Sequence, residues 1–331
     1  MIRILIAAAA IATAASAAFS VHAADFTMKL GFATMNDIQH QWANWYKEGL
    51  EAASKGRIEV KLFPRGQLGN VASQVEGVQL GTVEAFTTPA DFLAGLDPRF
   101  GTFSIPLLFR DTVHAEKMLL DPAMNFEILA LGADKGIQVV SIYTFAPAHY
   151  FGKQPLRKLD DFKGKKLRVN ATAAERAKMR QFGASAVPMD LSEVVPGIQQ
   201  GVIDGTMSAA AVYVNLKFND IAKVLTEVND TMIVSVGVVS RAWLAKLPAD
   251  LRQIVIEEGN KLQPRINPQS RVMDEAMVKR WLEAGGEMVR LPDADQARVR
   301  QLLSGIGEEV TKDNPTVSAF YKRLVATGQK Y

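Results

Sequence analysis

The sequence predicts an α/β architecture divided into two domains. Strand-like and helix-like patterns alternate along the chain, and 331 residues at 48% hydrophobic content can supply two cores. A helical pattern from Ala249 to about Ala284 would reach roughly 50 Å at 1.5 Å per residue, more than the width of one domain. Such an element is expected to bridge both.

At the N-terminus one positive charge, Arg3, precedes an apolar, alanine-rich run from Ile4 to about Phe19. The run ends in Val21-His22-Ala23, a signal-peptidase pattern, so 1–23 is expected to be a cleaved signal peptide and Ala24 the first mature residue. A retained anchor would need a longer apolar run, and none follows. The sequence holds no cysteine, which excludes disulfides, thiolate metal sites and a lipid-modified cysteine tether. The mature protein is therefore expected to be exported and free, with no direct membrane anchor.

Phe26, Met28, Leu30 and Phe32 alternate with Thr27, Lys29 and Gly31 as in a strand, and Trp42, Trp45, Tyr46 and Leu50 then recur at helical spacing. Ile58, Val60 and Leu62 mark a second strand that stops at Pro64-Arg65-Gly66, before a helix from about Asn70 to Leu80 that Gly81 can end. Val139 to Phe145 and Met232 to Ser240 read as buried strands. Ser192, as N-cap, with Glu193 is expected to open a short helix to Gln200. Two helices separated at Asn314-Pro315 close the chain between Asp293 and Thr327.

Catalytic chemistry finds little support. There is no Gly-x-Ser-x-Gly elbow, no phosphate-binding Gly-x-x-x-x-Gly-Lys, no Gly-x-Gly-x-x-Gly after a strand and no His-Glu-x-x-His. Only His40, His114 and His149 remain after cleavage, too few for a histidine-rich metal site, and Asp160-Asp161 beside Lys163, Lys165 and Lys166 reads as a solvated loop. No enzyme activity, cofactor or metal is expected. The formal charge is +3, falling by one with loss of Arg3, and the basic residues are dispersed, so nucleic acid is not an expected partner.

The most informative stretch runs from Phe162 to Gly205. Lys166 to Val169 is a strand leaving a glycine turn, which puts Arg168 near a strand's carboxyl end, where open α/β sheets place ligands. Its planar guanidinium matches both oxygens of a carboxylate. For an isolated arginine a surface position is the commoner reading. The neighbouring landmarks are Gly164-Lys165-Lys166-Leu167-Arg168, Gly183-Ala184 with Pro188-Met189, Ser192-Glu193-Val194, and Asp204-Gly205. Together with Pro64-Arg65-Gly66-Gln67-Leu68-Gly69, Ile105-Pro106 to Phe109 and Leu247-Pro248-Ala249-Asp250-Leu251, they make the chain resemble the solute-binding proteins of tripartite ATP-independent periplasmic (TRAP) transporters, the DctP family.

The resemblance implies a two-lobed periplasmic binding protein fold with hinge strands and a domain-bridging helix. Lobe I would take 24–147 and 232–270, and lobe II 148–231 and 271–331. It implies a monomer that binds a small organic acid through Arg168 and delivers it to TRAP membrane permease subunits, without ATP. By segment, the other expected ligand-binding residues are Thr34, Phe92, His149, Asn170, Leu191, Ser208 and Tyr213. Phe92, Leu191 and Tyr213 point to a ligand with an apolar or aromatic body, although packing in a lobe core is the commoner fate of side chains such as Phe92 and Tyr213. His149 is either a ligand contact or a satisfied hinge histidine. Ser208 stands where the family commonly has an asparagine after Asp-Gly. Alternatives are a binding protein of a tricarboxylate-type, ABC-type or sensor system, or an enzyme on a similar fold.

Overall fold

The computed structural model describes residues 24–170 and 172–331; the expected signal peptide lies outside them. Among the described residues the strands are β1 (Phe26–Phe32), β2 (Ile58–Phe63), β3 (Ala85–Pro89), β4 (Ile137–Gly152), β5 (Lys166–Val169), β6 (Ser185–Pro188), β7 (Gly205–Ser208), β8 (Val224–Ser240) and β9 (Glu287–Arg290). They form one sheet in the order β2-β1-β3-β8-β4-β7-β5-β6, with β9 also paired to β8.

The sheet has two halves because β4 and β8 run through both. In the first half, β1 pairs parallel with β2 and β3, and β3 pairs antiparallel with the end of β8. In the second, β5 pairs parallel with β6 and β7, β7 pairs antiparallel with the end of β4, and β9 lies along the start of β8. The period-two pattern of the first strand has its expected result, with Met28, Leu30 and Phe32 all buried.

Both long strands exceed the segments read from sequence. The β4–β8 ladder continues past Pro147 and past Asn229-Asp230 because it changes register there: pairing jumps from Pro147↔Met232 to His149↔Glu227. Residues 228–231 of β8 therefore face Ala148 alone, and Asn229 takes the left-handed conformation (φ 58°) that asparagine tolerates. Such a bulge absorbs a proline that a regular ladder would reject.

The long helix spans Ala249–Glu283 without a break at Pro264 or Pro268. Before His149, β4 has no strand on the β7 side, so its outward amides need other partners. The helix supplies them. Ile142 N donates to Gln263 Oε1 at 3.2 Å and Thr144 N to Asn267 Oδ1 at 2.9 Å. Gly259 permits this approach, since a Cβ there would sit 2.6 Å from Val140 Cβ.

Two expectations are corrected. The helix at Leu191–Gln199 is capped by Asp190, not Ser192; Asp190 accepts from Ser192 N, and Glu193 completes the capping box. The closing segment holds three helices, Asp293–Leu303, Ile306–Thr311 and Pro315–Gly328, because the first pattern breaks at Ser304-Gly305. The last of them packs against the segment Pro98–Ser104, the helices Thr112–Leu120 and Pro122–Leu129, and the helix before it. Phe320 stacks edge-on against Phe103, and Gly328 O lies 3.0 Å from His114 Nε2.

Candidate functional site

A cleft lies where the halves of the sheet meet. Its walls come from the ends of β1, β3, β5 and β7, from residues 231–234 of β8, and from Phe145 of β4. The cavity is ≈ 60 Å³ and shares Ala33, Thr34, Val71, Leu191 and Val212 with a neighbouring hollow of ≈ 500 Å³.

Arg168 is 3% exposed yet lines the cleft. β5 holds its backbone between β6 and β7, and its Nε donates to Met189 O at 2.9 Å. That bond explains the Pro188-Met189 landmark: β6 pairs Val169 with Pro188, and the next carbonyl turns onto the guanidinium. The Nη atoms carry no hydrogen bond to any described residue. Burial pulls the arginine's pKa down from its usual value, while Glu175, Asp91 and Asp190 oppose that shift.

The other landmarks are architectural. Asp204 Oδ2 accepts from Lys166 N at 2.8 Å, and a Cβ at Gly205 would fall 2.1 Å from Phe151 O. Asp-Gly thus locks β5 to the crossing strand β4 and leaves room only for hydrogen at the second position.

Six of the eight expected residues converge on the cleft: Thr34, Phe92, Arg168, Asn170, Leu191 and Ser208. His149 and Tyr213 do not line it. Tyr213 is wholly buried in the second half, stacked on Phe151 and beside Phe218, with its hydroxyl donating to His149 O at 2.8 Å and Thr206 O at 3.1 Å. Its neighbour Val212 faces the cleft instead. His149 is 5% exposed, both ring nitrogens lack partners among the described residues, and burial lowers its pKa to about 4. It is therefore a neutral interior histidine.

Sequence reasoning missed Thr88, Asp91 and Glu175, all in the cleft wall. Glu175 was legible as the acid of a Thr-x-x-Glu capping box. Its carboxylate accepts from Asn170 N at 3.2 Å and from Thr172 N at 3.0 Å, placing a negative charge near Arg168. Asp91 follows β3, next to Phe92. Its Oδ2 accepts from Asn170 Nδ2 at 3.1 Å, so this bond crosses the cleft. Burial, then the Glu175 charge, raise the Asp91 carboxyl to about 7. Ser104 Oγ donates to Thr172 Oγ1 at 2.9 Å, a second bridge between the halves. The rest of the lining is largely apolar, with Phe103, Phe145, Met207, Met232 and Ile233 beside Phe92.

Among the described residues no cluster of His, Asp or Glu could hold a metal ion, and no helix is long and apolar enough to cross a membrane. A two-half α/β sheet crossed by two long strands, with an arginine-bearing cleft between the halves, defines a solute-binding protein. Residues 31–313 match the family model for the bacterial extracellular solute-binding proteins, family 7 (DctP), and the chain belongs to that family.

The chain is 28% identical over 306 residues to the 2,3-diketo-L-gulonate-binding periplasmic protein YiaO of Escherichia coli, covering 90% of this chain and 92% of that one. It is 26% identical over 272 residues to the C4-dicarboxylate-binding periplasmic protein DctP of Rhodobacter capsulatus, covering 81% and 80%. In fold it matches the sugar acid binding protein DctPAm of Advenella mimigardefordensis in complex with galactonate, with TM-score 0.86, 21% identity and coverage of 92% and 98%.

Proposed function

We propose that this protein is a periplasmic receptor that binds a small organic carboxylate between its two lobes and hands it unchanged to a TRAP permease. The observation that carries this reading is Arg168: a buried guanidinium on the cleft wall, steered by Met189 O through Nε alone, with its Nη edge left for a planar anion. Burial makes that pairing selective, because a charge kept from water needs a counter-charge. The Escherichia coli and Rhodobacter relatives named for a sugar acid and for C4-dicarboxylates support the substrate class.

Lobe I then comprises 24–147, 232–270 and the C-terminal helix, and lobe II the remainder. Bridges such as Asp91–Asn170 and Ser104–Thr172 belong to the closed form, which a ligand touching both lobes stabilises. The N-terminal pattern of 1–23 supports export.

A thermal-shift series of organic acids tests the reading. A ligand at one hundred times its dissociation constant adds about 2.7 kcal/mol of stability. Stabilisation that disappears in Arg168→Lys is the expected result. No stabilisation by any carboxylate, or an unchanged shift in the lysine variant, would refute it.

A further inference from the structure

The cleft carries a second polarity besides Arg168. Three buried polar atoms on its wall have no partner among the described residues: Thr88 Oγ1, Asp91 Oδ1 and Asn170 Oδ1. Two of the three only accept hydrogen bonds when the aspartate is ionised, and the threonine hydroxyl can accept as well as donate. Thr88 is 1% exposed, so solvent does not satisfy it in this geometry. Gln39, Ser104 and Glu175 are already engaged, whereas the Ser208 hydroxyl makes no side-chain hydrogen bond to any described residue and is left for the ligand carboxylate. Gln39 Nε2 donates to Ser235 Oγ at 3.0 Å, Ser104 Oγ donates to Thr172 Oγ1, and the Glu175 carboxylate is taken by amides and by Thr172.

A buried acceptor left without a donor is costly, and a second anion placed near Asp91 and Glu175 meets like charge. Both effects favour the same occupant. We propose that the ligand is a monocarboxylate on a compact apolar frame that also carries a hydrogen-bond donor, a hydroxyl or an ammonium, and that Asp91 is the residue that reads this donor. The inference rests on the carboxylate reading of Arg168 and narrows it. Dicarboxylates are disfavoured because their second carboxylate brings acceptors to Asn170 Oδ1 and like charge to Glu175 and ionised Asp91. Asp91 follows β3 in the first half while Asn170 follows β5 in the second, so a donor received by Asp91 Oδ1 also steadies the Asp91–Asn170 bond across the closed cleft.

Calorimetric titration of the mature protein with four acids of matched size tests the proposal: 3-methylbutanoate, 2-hydroxy-3-methylbutanoate, valine and methylsuccinate. The hydroxy acid or valine is expected to bind at least about tenfold more tightly than the donor-free acid and the dicarboxylate, the range of a hydrogen bond to a charged group. Whichever of the two leads identifies hydroxyl or ammonium as the donor. Asp91→Ala should shrink the gap to below about threefold, on top of whatever common loss the broken bond to Asn170 brings to all four acids, and Asp91→Asn provides the same comparison with that bond still available. Equal binding of 3-methylbutanoate or methylsuccinate by the wild type overturns the donor rule but leaves the carboxylate reading standing. Binding of none of the four overturns the rule, and if the wider organic-acid series is also silent, the carboxylate reading falls too.

Discussion

Lys178 Nζ lies 3.0 Å from Asp230 Oδ2 with both side chains fully buried. Tyr150 OH donates to the same Asp230 oxygen at 2.7 Å, and Lys178 also donates to Thr231 Oγ1 at 2.7 Å. The pair sits inside the β8 bulge, where Asp230 O accepts from Leu107 N at 2.7 Å. Breaking one partner strands a charge away from water. Lys178→Met should therefore lower unfolding stability by about 3–5 kcal/mol, and Lys178→Met with Asp230→Leu should recover much of the loss. Denaturant titration of the three proteins checks both. A loss below about 1 kcal/mol in the single variant would show that the pair is not what holds the bulge.

The cleft arginine and Ser208 should contribute unequally to binding. Ser208→Ala removes one neutral hydroxyl and is expected to weaken carboxylate binding by about 1 kcal/mol. Arg168→Ala leaves the ligand's carboxylate buried without a counter-charge and should cost at least about 3 kcal/mol. Calorimetric titration of both variants with the strongest acid from the thermal-shift series measures the difference, and comparable losses would remove the arginine from its central role.

His149 makes part of the stability pH-dependent. Its pKa is about 4 in the fold against 6.5 when unfolded, so the unfolded chain binds the extra proton first. Its cost is absent above about pH 6.5 and grows as pH falls toward 4, reaching roughly 3 kcal/mol. Asp91 and Asp274 titrate in the same window with the opposite sign, so the measurement is a difference. The stability of wild type minus that of His149→Phe should decline from pH 7 to pH 4.5. A flat difference would show that the imidazole finds solvent or a partner.

Asp274, on the long helix, is raised to about 7 chiefly by burial, with Glu275 and Glu227 adding to it, and its Oδ1 has no partner among the described residues. A raised folded pKa leaves stability intact below the unfolded value near 3.8 and erodes it as pH rises through 7. Asp274→Asn should therefore stabilise the protein by about 2 kcal/mol at pH 8, allowing for the residue's partial exposure, and make little difference near pH 4. Thermal melts at the two pH values decide it.

Periodicity carried the first half of the sheet well, because β1, β2 and the first helix each bury one face of a regular pattern. It failed where strands change partners. β4 and β8 read in the sequence as short strands over Val139 to Phe145 and Met232 to Ser240, and only the facing bulge shows why they continue past Pro147 and Asn229-Asp230. Arg168 was legible from its place at a strand end, but its steering by Met189 O depends on a parallel pairing between distant segments. Tyr213 illustrates the opposite error. Its helix Ala210–Asn215 presents Val212 to the cleft and turns the tyrosine inward, a rotation of one residue that sequence alone does not fix. Asp91 was passed over for its aromatic neighbour, since a lone acid in a loop carries no pattern until the opposite wall is in place.

The continuity of β4 and β8 also governs how the molecule comes apart. Neither half of the sheet is a contiguous stretch of chain: the polypeptide crosses between them along β4, along β8, through the helix Ala249–Glu283 and again before Pro315. Cutting the chain at any one crossing leaves each half without strands or helices that complete it, so neither can be excised as an independent folding unit. Losing one half exposes the amide edge of the other, and unfolding should proceed as one cooperative event. A solute held by a few atoms of the cleft wall thereby stabilises the whole chain against heat and proteases.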